Sequence, residues 1–251
     1  MITCMETADT AAPGAVATPL IETLFSVGAH YGYKKSRRHP SVSSYIFGVK
    51  NRVEIFDLAQ TGALFERAKE HARSLGEAGK TVLFIGTKFE AQEAVRAGAL
   101  EAGQPFVVER WIGGALTNLS EIRKRVGRLE QLRSGRDSGE FDKYTKKERL
   151  LLDREIAQLE KNFGGIVAMA ALPAVLFIVD PREESTAMRE AKRMKIPVIA
   201  LASSDCDITG IAYPIVGNDA ARGSITFFVG EIAKAYRGGK DSASSSLGTK
   251  A

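Results

Sequence analysis

The sequence predicts an α/β protein built on a doubly wound parallel sheet with helices on both faces, interrupted by an inserted helical hairpin. Three observations predict it. Apolar runs such as Thr81–Gly86 and Val175–Val179 are uninterrupted, as in strands covered on both faces. These runs alternate with segments of helical period, which implies βαβ crossovers. Finally, more than sixty residues separate the strands expected at Val107 and Val175, where a simple crossover needs a single helix.

Taken in order, the chain opens with an Ala- and Thr-rich stretch, residues 1–19, that has neither the basic start nor the apolar centre of a signal peptide and is expected to be disordered. A short apolar helix spans Leu20 to Val27 and stops at Gly28. A basic, loop-like stretch leads to a strand at Tyr45–Val49. Leu64, Phe65, Ala68, Ala72 and Leu75 recur at steps of three and four, giving a helix that ends near Gly76 or Gly79. A strand at Thr81–Gly86, a helix over Phe89–Leu100 and a strand at Phe106–Val108 follow. After the long interruption come strand Val175–Val179, helix Glu183–Met194, strand Pro197–Leu201, a short strand at Tyr213–Val216 and a last helix over Ala220–Tyr236. Residues 238–251 are rich in Gly and Ser and are expected to form a disordered tail. The sheet domain thus takes residues 20–117 and 165–237, and the insertion residues 118–164.

Within the insertion, Leu119, Ile122, Val126, Leu129 and Leu132 step by three or four, as do Leu152, Ile156, Leu159 and Phe163. Two narrow stripes joined by a polar loop read as an antiparallel hairpin with coiled-coil packing. Residues 121–149 carry ten Lys and Arg against six carboxylates.

Composition removes several classes of function. The longest apolar run, Ala168–Val179, is broken by Pro173 and falls well short of the ~20 residues of a membrane helix. Only Cys4 and Cys206 are present, which argues against a disulfide framework or thiolate metal site and for a reducing compartment. Ser74–Thr81 nearly matches a P-loop, but there the Gly-Lys-Thr ends a helix and enters a strand, the reverse of the order that points backbone N–H groups at phosphates. Gly79 reads instead as a helix cap. No G-x-G-x-x-G follows an expected strand. His30, His39 and His71 lack metal-ligand spacing, and Asp205 and Asp207, flanking Cys206 beyond a strand end, read as a polar loop that satisfies its own backbone. Trp111 reads as a packing anchor beneath the Gly113-Gly114 turn, with Thr117 or Asn118 capping the next helix.

Charge is distributed unevenly. Between Glu22 and Glu54 there is no acidic residue, while Lys34, Lys35, Arg37, Arg38, Lys50 and Arg52 occur among His30, Tyr31, Tyr33, His39 and Tyr45. Uncompensated cations beside rings suit RNA, because the charges displace phosphate counterions and the rings stack on exposed bases. A solvated basic loop is the competing reading.

The residues that carry a family resemblance are Leu24–Leu58, Val82–Glu93 (VLFIGTKFEAQE), Arg110–Asn118 (RWIGGALTN), Phe141–Glu148 (FDKYTKKE), Leu172–Leu201 and Ile215–Ala220. In order and spacing the chain resembles, from about Leu20 to Arg237, the S-two family of bacterial small-subunit ribosomal proteins. The resemblance implies a flavodoxin-like (Rossmann-like) sheet, a protruding coiled-coil hairpin, no enzymatic activity, no cofactor and a cytoplasmic place in the small subunit. It further implies contacts with 16S rRNA, with neighbouring small-subunit proteins and with the large mRNA-binding ribosomal protein of repeated OB domains. The expected RNA-contact set is Lys34, Lys35, Arg37, Arg38, Lys50, Arg52, Lys88, Arg110, Asn118, Arg123, Lys124 and Arg128, with no catalytic or metal residue. Tyr33 stands where the family often has a second histidine, Asp205–Thr209 lacks the usual Asn and Pro, and Ala220 replaces a frequent second Asp. Two other classes compete: an α/β enzyme holding a phosphorylated metabolite at Gly86-Thr87-Lys88 or Gly113-Gly114, and an adaptor that docks through the hairpin without RNA.

Overall fold

The computed structural model describes residues 18–248, with side chains from 19 to 244. A five-stranded sheet forms its centre, from β4 (Val82–Ile85), β5 (Phe106–Val107), β6 (Val175–Val179), β7 (Val198–Ala202) and β8 (Tyr213–Val216). Its order is β5-β4-β6-β7-β8, and every neighbouring pair is parallel. This is the doubly wound order in which the chain reverses direction across the sheet between β4 and β6, opening a crevice at the carboxyl ends of those strands.

The continuous apolar runs are explained by burial on both faces. Val82, Phe84, Phe177, Ile199 and Ile215 point to a layer formed by α1 (Thr18–Ser26), α2 (Leu58–Glu77), α3 (Phe89–Ala102) and α7 (Arg222–Gly248). Their alternates Leu83, Ile85, Leu176, Ile178 and Ala200 face α6 (Ser185–Met194), Trp111 and the sheet-proximal ends of α4 (Leu119–Asp137) and α5 (Lys146–Phe163). Farther out, α4 and α5 pack through Leu129, Leu132 and Ile156. α5 begins with a reciprocal Thr145–Glu148 capping box. Trp111 is the expected packing anchor.

Two differences from expectation concern the first third of the chain. The basic stretch contains two further strands, β1 (Tyr31–Lys34) and β3 (Val53–Phe56), and β3 pairs antiparallel with both β1 and β2 (Ile46–Lys50), giving the order β1-β3-β2. Lys50 opposite Val53 leaves a two-residue turn, and Asn51 and Arg52 both adopt positive φ, as a primed hairpin turn requires. Strands of four residues bearing Lys, Arg and Glu give too little alternation to be read from sequence.

The C-terminal tail is a correction. Residues 238–248 were expected to be disordered, but α7 continues through them to Gly248. The glycines taken as breakers serve packing: a Cβ on Gly239 would meet the Arg73 carbonyl oxygen at 2.1 Å, and one on Gly76 the Tyr236 carbonyl oxygen at 2.0 Å. Helices α2 and α7 therefore touch backbone to backbone. The expected disordered extension, residues 1–19, lies outside the described residues except for Thr18 and Pro19, which open α1. No helix among the described residues is long and apolar enough to cross a membrane.

Candidate nucleic-acid interface

The small sheet is fastened to the carboxyl ends of the large one. The backbone N–H of His39 donates to the Ser204 carbonyl at 2.8 Å, and that of Tyr33 to Ser204 Oγ at 2.9 Å. Asn218 holds the preceding loop through its own N–H to Ala29 O and its Nδ2 to Gly28 O. On this support Lys34, Lys35, Lys50 and Arg52 are exposed, and no ion pair engages them among the described residues. Arg37 is exposed too, with its guanidinium 5.8 Å from the Tyr33 ring centre.

Arg38 differs from its neighbours. It lies 3.5 Å from a carboxylate oxygen of Glu54, whose side chain is fully buried. An unpaired carboxylate there would carry several kcal/mol of desolvation, so Arg38 is needed by the fold. The rings also separate into two groups. His30 is buried, stacked on Phe25 at 4.4 Å and tilted against Tyr31 at 4.0 Å, and burial lowers its pKa. Exposed rings are Phe25, Tyr31 and Phe47, the last 81% accessible. Of these, sequence reasoning had singled out only Tyr31.

Lys88 is drawn inward. Its ammonium sits at the crevice, 3.1 Å from both Asp180 Oδ2 and Tyr33 Oη and 3.4 Å from Asp219 Oδ2. Burial alone lowers a lysine pKa, yet Asp219, the Tyr33 hydroxyl and Asp180 overcome it and raise that of Lys88, so the group stays charged. Asp180 adopts φ 61° and accepts from the N–H groups of Arg182 and Glu183. Burial disfavours its ionised form, but Lys88 and these donors hold its pKa below the ordinary value. Asp219 has a fully buried side chain, and burial with the Asp180 charge pushes its pKa up to about 7. Cys206 Sγ lies 3.6 Å from Asp180 Oδ1, and burial followed by the Asp180 charge raises the thiol's pKa.

Asp180, Cys206 and Asp219 thus bring three ligand-type atoms within 4.8 Å of one another, which sequence spacing had not disclosed. Lys88 supplies the positive charge these carboxylates need, and the thiol keeps its proton. What assembles here is a neutralised internal ion cluster. Asp207 behaves as expected of a self-satisfying loop, accepting from the Thr209 N–H at 2.9 Å. Asp205 pairs with Arg182 at 2.5 Å.

Both places considered for a phosphorylated metabolite are already filled by carboxylates of the chain itself. Glu184 accepts from the Thr87 N–H at 2.8 Å. Glu190 accepts from the N–H groups of Gly114, Leu116 and Thr117 at 2.8–3.2 Å, from Trp111 Nε1 at 3.1 Å and from the Thr117 hydroxyl at 3.3 Å. Burial pushes the Glu190 carboxyl upward, but this set of donors outweighs it and the pKa falls below the ordinary value. The loop that presents Arg110 and Asn118 to solvent is therefore fixed by a carboxylate of α6. Asn118 holds the N-cap position of α4, although its side chain caps no helix N–H and accepts instead from Ser120 Oγ.

On α4 the expected contact residues divide. Arg123 is exposed without an ion pair among the described residues, whereas Lys124 pairs with Glu121 at 2.6 Å and Arg128 with Glu155 at 3.1 Å. Arg133, Arg136, Lys143 and Arg149 are likewise paired, with Glu160, Asp137, Glu140 and Asp142.

Comparison with known proteins agrees with this architecture along nearly the whole chain. The family model described as "Ribosomal protein S2" matches residues 24–239. The small ribosomal subunit protein uS2 of Desulfovibrio desulfuricans is 44% identical over 220 residues, covering 88% of this chain and 85% of that protein. That of Rhodopirellula baltica is 40% identical over 225 residues, covering 90% and 86%. That of Rhodopseudomonas palustris is 42% identical over 212 residues, covering 84% of this chain and 64% of its own length. On the extent of these matches, the chain belongs to the ribosomal protein S2 family.

Proposed function

We propose that the protein is a structural, non-catalytic constituent of the small ribosomal subunit in the cytoplasm, holding 16S rRNA chiefly through the β1-β3-β2 sheet and its turns. The observation that carries the reading is the set Lys34, Lys35, Arg37, Lys50 and Arg52: five exposed cations, none in an ion pair among the described residues, on a platform hydrogen-bonded to the main sheet. Cations already neutralised inside a protein release no counterions on binding RNA, whereas these do. The exposed rings of Tyr31 and Phe47 add stacking surfaces beside them.

In this reading residues 118–164 form an inserted arm with coiled-coil packing, a role supported by the apolar seam of Leu129, Leu132 and Ile156. The arm and the adjacent loop meet further rRNA through Arg110, Asn118 and Arg123. Neighbouring small-subunit proteins are the remaining partners, including the mRNA-binding protein of repeated OB domains. Because Arg38, Lys88 and Arg128 are engaged with carboxylates, they hold the fold and contribute less to RNA than their sequence positions suggest.

The test is reversal of Lys34, Lys35, Lys50 and Arg52 to Glu, leaving Arg38 in place. Incorporation into small subunits, followed by sucrose-gradient sedimentation after a moderate salt wash, is expected to be abolished while the isolated protein keeps its circular dichroism spectrum and unfolding midpoint. Normal incorporation of this variant overturns the reading.

A further inference from the structure

Helix α6 conceals its own polarity. Residues 182–195 hold five cations and three carboxylates, an unremarkable mixture in sequence. In the fold the two sets are sorted by direction. Glu184 and Glu190 are buried and accept from backbone N–H groups of the β4 and Trp111 loops. Arg182, Arg189, Lys192, Arg193 and Lys195 are exposed, with Glu183 the one exposed carboxylate in the segment.

Of these cations only Arg182 has an ion pair among the described residues, with Asp205. Arg189 donates to the Ser185 carbonyl and the Thr186 hydroxyl of its own helix. Lys192, Arg193 and Lys195 cluster in the last turn and just beyond it, where the helix dipole favours a cation by about 0.3–1 kcal/mol at an exposed site. That accounts for one such charge; several together repel each other and stay unneutralised. Beside them an open groove of about 390 Å³ runs between this end of α6 and the Thr209–Gly210 loop. The support is rigid, since Ala187 and Ala191 are fully buried against the sheet and the Ile196 N–H closes the helix on the Ala191 carbonyl at 2.9 Å.

We propose that this face of α6 is a second contact surface for RNA phosphates, with Lys192, Arg193 and Lys195 as its core and Arg189 at its edge. The inference rests on the rRNA-binding reading above and extends it to a helix to which that reading assigns no contact. A phosphate backbone is the partner that fits: among the described residues the face offers long cations without ion pairs, while the large apolar side chains of the adjoining groove, Met188, Ile196 and Val198, are half-buried or buried and leave little to anchor a protein.

The test uses the full-length protein and a protein-free 16S rRNA transcript, with affinity measured by filter binding from about 50 to 200 mM salt. The variant Lys192→Gln/Arg193→Gln/Lys195→Asn is compared with Lys192→Arg/Arg193→Lys and with the four-residue reversal on the small sheet. Removal of the three charges is expected to make the slope of log K against log salt shallower by about two to three, while the charge-preserving variant keeps the wild-type slope. A wild-type slope for the neutral variant overturns the inference; if that variant also enters particles poorly, α6 meets an acidic protein surface instead of RNA. If the small-sheet reversal leaves affinity intact while the α6 variant weakens it, the main-site reading fails and the α6 surface stands. Absence of any salt-dependent binding by the wild type overturns both.

Discussion

Asp219 is held near neutrality by its surroundings: burial first, then the negative charge of Asp180, raise its pKa from 3.8 to about 7. A carboxyl whose pKa is higher in the folded state favours folding most when protonated, and that contribution is lost as pH rises from 3.8 through 7. Asp219→Asn keeps the shape and leaves Lys88 with Asp180, so it is expected to raise stability by at least about 1 kcal/mol above neutral pH and to bring no gain in acid. Urea denaturation of both proteins across pH checks this; a gain that is the same at every pH refutes it. Glu190 acts in the opposite sense. Its pKa is depressed below 4.5, so its contribution is present above that value and disappears as pH falls. Glu190→Gln places an amide among five donors and is expected to lower stability by about 2–3 kcal/mol at pH 7, a deficit that narrows in acid. Neither role was legible in the sequence, because both depend on what a carboxylate meets across 73–79 residues of chain in one case and three strand ends in the other. Long separation likewise hid the fate of Lys88, whose partner Asp180 lies on another strand end, whereas Arg38 was hidden because nothing in the local sequence shows that Glu54 is buried.

Elements with strong period or continuous apolarity were legible. The five strands of the parallel sheet and the helices between them stand where apolar spacing placed them, because a strand buried on both faces and a helix buried on one leave little room for other residue types. What escaped were elements whose reason lies in another element. The Gly238-Gly239 pair reads locally as a helix end, but Gly239 exists to let α7 rest against the Arg73 carbonyl of α2. Gly239→Ala is expected to destabilise by about 1–3 kcal/mol through forced separation of the two helices. Gly238→Ala, at a position open to solvent in the same helix, is expected to stabilise by up to about 1 kcal/mol from helix propensity. Thermal unfolding of the pair decides: equal effects of the two substitutions would mean that close packing does not hold this turn of α7. On α6, sequence gave a diluted charge, and only the orientation of Glu184 and Glu190 separates the cations from the acids.

At the scale of the whole molecule, two apolar layers enclose one sheet, and the small cationic sheet is attached to it with almost no core of its own. Its buried cluster consists of Val42, Phe56 and Val216, and Val216 belongs to β8, the last strand among the described residues. Thr61, at the start of α2, reaches the same strand through a 2.7 Å hydrogen bond to the Val216 carbonyl. A chain ending at Tyr213 is therefore expected to leave residues 31–56 open to proteolysis even though all of them are present, whereas the full chain protects them; protection in the shortened chain would mean that the small sheet stands alone. The shared valine also sets an order of events during synthesis. The earlier segment stays unfinished until β8, made long after it, arrives to roof it, so a nascent polypeptide has no completed cationic sheet to offer before β8 has been made.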